Sequence, residues 1–216
     1  MQINLQTNNN IPMAFYPNVT LWDQTLNLTY GIIRMQMRQA VGDVNVLYEW
    51  STANGKIKVQ KVQAAGSLNF TALPANGQTI TIGTTTITFV TSGATGNQVN
   101  IGSTIQNTLN SLVTFLQGSA DSQLSQCNYA ALNQTLGIAF KIAGTAGNNF
   151  NLSTTTTAVV SSATLTGGGT QLYVLAPITD IAAFVGDYPY DCRFEGQFNE
   201  CILFGGTITF NQGITQ

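Results

Sequence analysis

Residues 76–90 read Asn76-Gly77-Gln78-Thr79-Ile80-Thr81-Ile82-Gly83-Thr84-Thr85-Thr86-Ile87-Thr88-Phe89-Val90. In Thr79–Ile82 and again in Thr86–Val90 polar and apolar residues alternate with a period of two, as in half-buried strands. Gly83 lies between the runs and Asn76-Gly77 precedes them, so the stretch is a β-hairpin. Beyond it, Ile101, Ile105, Leu109, Leu112, Val113 and Leu116 recur at helical spacing. Gly102-Ser103 lies near the start of that helix and Gly118 at its end, in keeping with capping preferences. Tyr129–Leu132 and Leu136–Ile142 read as a second hairpin around Asn133-Gln134. Ala146-Gly147-Asn148-Asn149 reads as a turn before Phe150-Asn151-Leu152. The expected unit is a small α+β domain with one helix packed on a sheet.

Charge marks out the same region. Between Gly66 and Gly169 only Asp121 and Lys141 are charged, whereas the other charged residues lie in flanks of similar total length. Such a step suggests two units, jointed at Ala64-Ala65-Gly66 and Gly167-Gly168-Gly169. Residues 65–169 are then an insertion into a discontinuous domain of residues 1–64 and 170–216. The flanks read as strands: Ile33, Met35 and Met37; Val44, Val46, Tyr48 and Trp50; Ile57 and Val59; Leu172–Leu175; Tyr190, Cys192 and Phe194; and Ile202–Phe210, with a bulge or bend at Gly205-Gly206. Pro177–Phe184 fits a single helical turn. The expected fold class is mainly β, an antiparallel β-sandwich carrying the inserted α+β domain with its single helix.

Hydrophobic residues make up 44% of the 216, enough for a core, while charged residues make up only 7%. Thr, Asn, Gln, Ser and Gly replace them, giving a polar but uncharged surface that is cheap to desolvate in subunit contacts. A secreted or surface β-protein would share this composition. Lys56, Lys58 and Lys61 lie close together, but two of them alternate with apolar residues as on one solvated strand face, too sparse a footprint for nucleic acid. Met1–Asn10 lacks the basic start and apolar run of a signal peptide, and no stretch is long and apolar enough for a bilayer. The expectation is a protein made in the host cytoplasm, with no membrane partner.

Candidate chemistry is thin. The chain has no histidine, which excludes Ser-His-Asp and Cys-His templates. Cys127 has no cation nearby in sequence to activate it. Asp187, Asp191 and Glu195 recur every four residues, where paired carboxylates would serve glycoside hydrolysis or loose Ca²⁺ binding. A solvated strand row shared with Arg193 is the favoured reading, so no catalytic, metal or cofactor site is expected. A tight turn at Gly196-Gln197 would set Cys192 opposite Cys201, as a strained disulfide or as two reduced thiols on one core face; the thiols are favoured. Phe15, Tyr16 and Trp22 are candidates for an aromatic interface or for ordinary core.

The run Pro74–Gly83 with Ile87-Thr88-Phe89, then Gly96-Asn97-Gln98-Val99-Asn100-Ile101-Gly102, then Ala143–Asn148 continuing to Leu152-Ser153-Thr154, resembles a module recurring in structural proteins of tailed bacteriophages. The flanks resemble small β-sandwich proteins of phage tails, including the attachment domain of upper baseplate proteins. That second resemblance rests on Arg34-Met35-Gln36-Met37-Arg38, Tyr188-Pro189-Tyr190-Asp191, Leu203–Ile208 and Gln212-Gly213-Ile214-Thr215. Together they imply a virion structural protein of tail, neck or baseplate that assembles with other virion proteins as a homo-oligomer, trimer or hexamer, without catalytic residues. A host-receptor or glycan-binding module and a capsid decoration protein are the alternatives.

Overall fold

The computed structural model describes residues 2–6, 13–197 and 200–211; the closing Gln212-Gly213-Ile214-Thr215 and part of the polar Met1–Asn10 stretch lie outside them. The chain is mainly β. Its elements run β1 (Gln2–Gln6), β2 (Met13–Phe15), α1 (Thr20–Leu26), β3 (Ile32–Met37), β4 (Tyr48–Ser51), β5 (Ile57–Val62), β6 (Ala65–Asn69), β7 (Thr79–Ile82), β8 (Thr85–Val90) and β9 (Gln98–Asn100). They continue through α2 (Ile105–Gly118), β10 (Cys127–Leu132), β11 (Thr135–Phe140), β12 (Leu152–Thr154), β13 (Val159–Val160), β14 (Gly169–Ala176), α3 (Ile178–Ile181), β15 (Gly186–Glu195) and β16 (Glu200–Asn211). Contacts divide the chain into two compact units, Met1–Gln60 with Thr170–Gln216, and Lys61–Gly169. The first boundary falls inside β5, where composition alone placed it at Ala65.

The first unit has a five-stranded sheet, β1-β16-β15-β3-β4, and a three-stranded sheet, β2-β14-β5. Alternation drives both: Ile33, Met35 and Met37 in β3 and Leu172, Val174 and Ala176 in β14 point into one shared core with Trp50, Ile208 and Phe210. Each buried Ile, Leu, Val, Met or Phe side chain among them contributes about 1.5–3 kcal/mol of transfer free energy. The larger sheet is mixed, not purely antiparallel, because β1 runs parallel to β16.

Three local expectations are corrected. Val44 and Val46 are not in a strand but in an exposed loop, 88% and 41% exposed. Asp43 Oδ1 accepts from Asn45 N there, a side-chain turn that competes with the ladder, and pairing begins only at Tyr48. Gly205-Gly206 does not break β16. The irregularity lies opposite Cys192 and Arg193, which pair with Phe204 and Ile202, so Leu203 is the extra residue. That bulge switches the inward-facing set of β16 from Ile208 and Phe210 to Leu203. Finally, α1 is a helix where none was expected, held by Asn18 Oδ1 accepting from Thr20 N at 2.9 Å and by Asp23 Oδ2 accepting from Thr170 Oγ1 at 2.7 Å.

The second unit contains two four-stranded sheets, β10-β11-β6-β13 and β12-β7-β8-β9, in place of the single expected one. The reason is β6: Ala65, Gly66, Ser67, Leu68 and Asn69 lack strand-like alternation, yet they pair with both β11 and β13. Gly66 and Gly168 are tightly packed positions, not hinges. A Cβ on Gly66 would come within 2.8 Å of Leu165 Cδ2, and one on Gly168 within 2.3 Å of Gly144 O. The β7–β8 hairpin turns at Gly83, with φ of 63°. The β10–β11 hairpin turns through Asn133 and Gln134, both at positive φ, as a two-residue primed turn requires. The N-cap of α2 lies one residue beyond Gly102-Ser103, at Thr104, whose Oγ1 accepts from Asn107 N at 3.1 Å. Leu109, Leu112 and Leu116 of α2 join Ile80, Ile87 and Phe89 in the core of this unit.

Candidate interaction surface

Charge is concentrated on the outer face of the five-stranded sheet. Alternation that turns Met35 and Cys192 inward turns Arg34, Gln36, Asp191 and Arg193 outward on adjacent strands. All three arginines of the chain are paired there. Arg34 reaches Glu49 at 2.7 Å and Glu195 at 2.9 Å. Asp191 accepts from Arg38 at 2.8 Å and from Arg193 at 2.6 Å, and Arg193 also reaches Glu200 at 3.3 Å. Burial alone would raise the Asp191 carboxyl, but hydrogen bonds from Arg193 and Arg38 hold it below the ordinary carboxylate range. Glu49 is likewise lowered, against its burial, by Gln36 and Arg34. A general acid for glycoside hydrolysis needs a carboxyl pushed the other way. Asp187 instead accepts from Thr209 Oγ1 at 2.6 Å.

A second polar cluster escaped the sequence. Lys56 Nζ lies 2.8 Å from Asp180 Oδ2 and 4.5 Å above the Tyr48 ring, and the Tyr48 hydroxyl donates to Asp180. It ties α3 to β4 and to the start of β5. Hydrogen bonds from Lys56 and Tyr48 lower the Asp180 carboxyl.

Large apolar side chains stand out of the first unit. Leu21 and Trp22 on α1 are 80% and 38% exposed, and no residue of that helix is buried. Tyr16 is exposed, with its ring 5.5 Å from that of Tyr173, while Phe15 is half-buried against the core. Of the three aromatic candidates, then, Tyr16 and Trp22 reach solvent and Phe15 packs inward. Sequence reasoning missed Leu21, because a seven-residue helix is too short to display an outward stripe, and Tyr30, 81% exposed at the end of the 3-10 turn Leu28–Tyr30 that follows the helix. Val41 and Val44 project from the loop between β3 and β4, at 91% and 88% exposure. A groove of about 280 Å³ beside it is lined by Arg38, Val41, Pro189, Tyr190, Asp191 and Gly206.

The cysteines are free thiols. Cys192 and Cys201 are not opposite each other: Cys201 faces Phe194 and Cys192 faces Phe204. Glu195 pairs with Glu200, two residues later than a turn centred on Gly196-Gln197 allows, and the bulge at Leu203 adds a shift of one more. Burial pushes the Cys192 thiol far up, and pushes Cys127 up to about 11. Neither is primed as a nucleophile at neutral pH.

In the second unit, Thr79, Thr81, Thr86 and Thr88 face away from the core on β7 and β8. Thr81 and Thr86 share a hydrogen bond at 3.1 Å, and Thr79 and Thr155 one at 3.3 Å. Among the described residues no group of three or more Cys, Asp or Glu side chains is placed to hold a metal ion. No helix among them is long and apolar enough to cross a membrane. Comparison with models of known protein families gives no match, and neither does comparison with curated proteins.

Proposed function

We propose that the chain is a structural subunit of a tailed-bacteriophage particle, at tail, neck or baseplate, acting by assembly with virion proteins and without catalysis. The observation that carries this reading is the outward display of Leu21, Trp22, Tyr30, Val41 and Val44 on a chain whose arginines are all engaged in internal ion pairs. Exposed aromatic and aliphatic side chains supply contact energy, and the uncharged surroundings are cheap to desolvate. The phage-like residue runs of both units supply the kind of assembly. Closed symmetry is the rule for such parts, so a hexamer or trimer is the expected form. Mass spectrometry of density-gradient-purified particles tests the proposal. A fixed ratio of this chain to the other virion proteins supports it, and absence of the chain from particles rejects it.

The hydroxyl rows of β7 and β8 favour a second reading, a glycan- or receptor-binding module on a tail. A glycan array decides that reading: binding lost on replacing Thr79, Thr81, Thr86 and Thr88 by Val supports it. Capsid decoration rests on the same contact physics at another position on the particle.

A further inference from the structure

The two open sides of the first unit are built differently. On one side lie the edge strands β4 and β5, where Lys56 is tied to Tyr48 and Asp180 and Lys58 is exposed. Lysines on an edge deter the addition of another strand. On the other side lie β1 and β2, flanking a groove of about 290 Å³ lined by Ile3, Leu5, Ala14, Phe15, Tyr16 and Pro17 among others, with no charged residue. Strand β1 is the edge of its sheet, and its outer side has no strand partner among the described residues. It carries neither charge nor proline.

The residues of β1 say what fits there. Gln2-Ile3-Asn4-Leu5-Gln6 reads nearly the same in both directions. An antiparallel second copy turned about Asn4 sets Gln2 against Gln6, Ile3 against Leu5, and Asn4 against Asn4. A twofold axis perpendicular to the sheet keeps each face on its own side. Ile3 and Leu5, 6% and 1% exposed, therefore remain on the core side in both copies, while the exposed Gln2 and Asn4 remain outside. The pairing is isologous, the same patch on both partners, as a twofold contact demands. We propose that β1 is a self-association edge, joining two five-stranded sheets into one continuous sheet across a dimer. This deepens the assembly reading and rests on it for the kind of partner, a second copy of this chain. It fits a hexamer built of three dimers and not a simple three-membered ring.

The test uses the full chain in sedimentation velocity over a concentration series: wild type, Asn4→Asp, Asn4→Lys, and the two variants mixed in equal amounts. Asn4 is exposed, so neither change touches the core, and far-UV circular dichroism of each variant checks the fold. The wild type is expected to dimerise. Like charges set opposite each other should raise the dimer Kd more than about tenfold in each variant alone. The mixture should recover the dimer, because a carboxylate on one copy then faces an ammonium group on the other. A wild type that stays monomeric overturns the proposal, as does an oligomer indifferent to both changes or a mixture that fails to recover. The second of these results leaves an assembling protein with a different contact, and the composition of purified particles bears on that reading separately.

Discussion

Replacing Asp191 by Asn keeps the shape of the side chain and removes its charge. Asp191 Oδ1 accepts from Arg38 Nη1 at 2.8 Å and Oδ2 from Arg193 Nη2 at 2.6 Å. An Asn has one acceptor, so its amide donor must face one of the two guanidinium groups. Arg38 retains Gln36 Oε1 at 2.7 Å, and Arg193 retains Glu200 at 3.3 Å, so neither cation is stranded. Hydrogen bonds to charged groups contribute about 1.5–3 kcal/mol each, and exposure reduces this. The three side chains are 22%, 17% and 29% exposed, an intermediate setting. The expected loss is about 1–3 kcal/mol. Urea unfolding followed by tryptophan fluorescence reads it directly, since both tryptophans, Trp22 and Trp50, lie in the same unit as Asp191. The loss should shrink in molar salt. A variant as stable as the wild type would refute the idea that this carboxylate is a structural tie. A variant of unchanged stability that loses hydrolysis of a host polysaccharide would make Asp191 a catalytic acid instead.

Three further outcomes are expected. The folded Asp191, Asp180 and Glu49 carboxyls lie below their ordinary range, so they contribute stability that is complete above about pH 4 and lost as pH falls through their folded values; urea midpoints at pH 7 and pH 3 should differ, and equal midpoints would contradict this. Thr104→Ala removes the side-chain acceptor for Asn107 N and should cost about 1 kcal/mol, read as a lower melting temperature of the second unit. Alkylation of the unfolded, unreduced protein should add three labels by mass, and two protected thiols would point to a disulfide.

Much of the architecture could be read from residues buried on one face only. Ile33, Met35 and Met37, or Ile80 and Ile82, alternate with polar neighbours because solvent covers the other side of the sheet. The legible parts end where tertiary context decides. Ala65–Asn69 carries no alternation because small residues suit a strand pressed between neighbours, and its Gly66 reads as a joint although Leu165 packs onto it. Val44 and Val46 alternate as a strand would, yet a local side-chain turn at Asp43 wins. The cysteine register failed by two residues at Cys201 and three at Cys192, because the turn is wider than the Gly196-Gln197 pair suggested and a bulge leaves no mark in composition. Of the candidate surface, Tyr16 and Trp22 could be named as aromatics near the start of the chain. Leu21, Tyr30 and the ties around Asp180 could not, because exposure and long-range contact are properties of the folded chain.

The central claim is that this surface exists for neighbours on a phage particle. Immunogold labelling of intact particles with antibody to the folded chain measures that most directly. Gold at one fixed place, on tail, neck or baseplate, is the predicted result. Particles that carry no gold, while the chain remains in the unassembled fraction of the lysate, would contradict it.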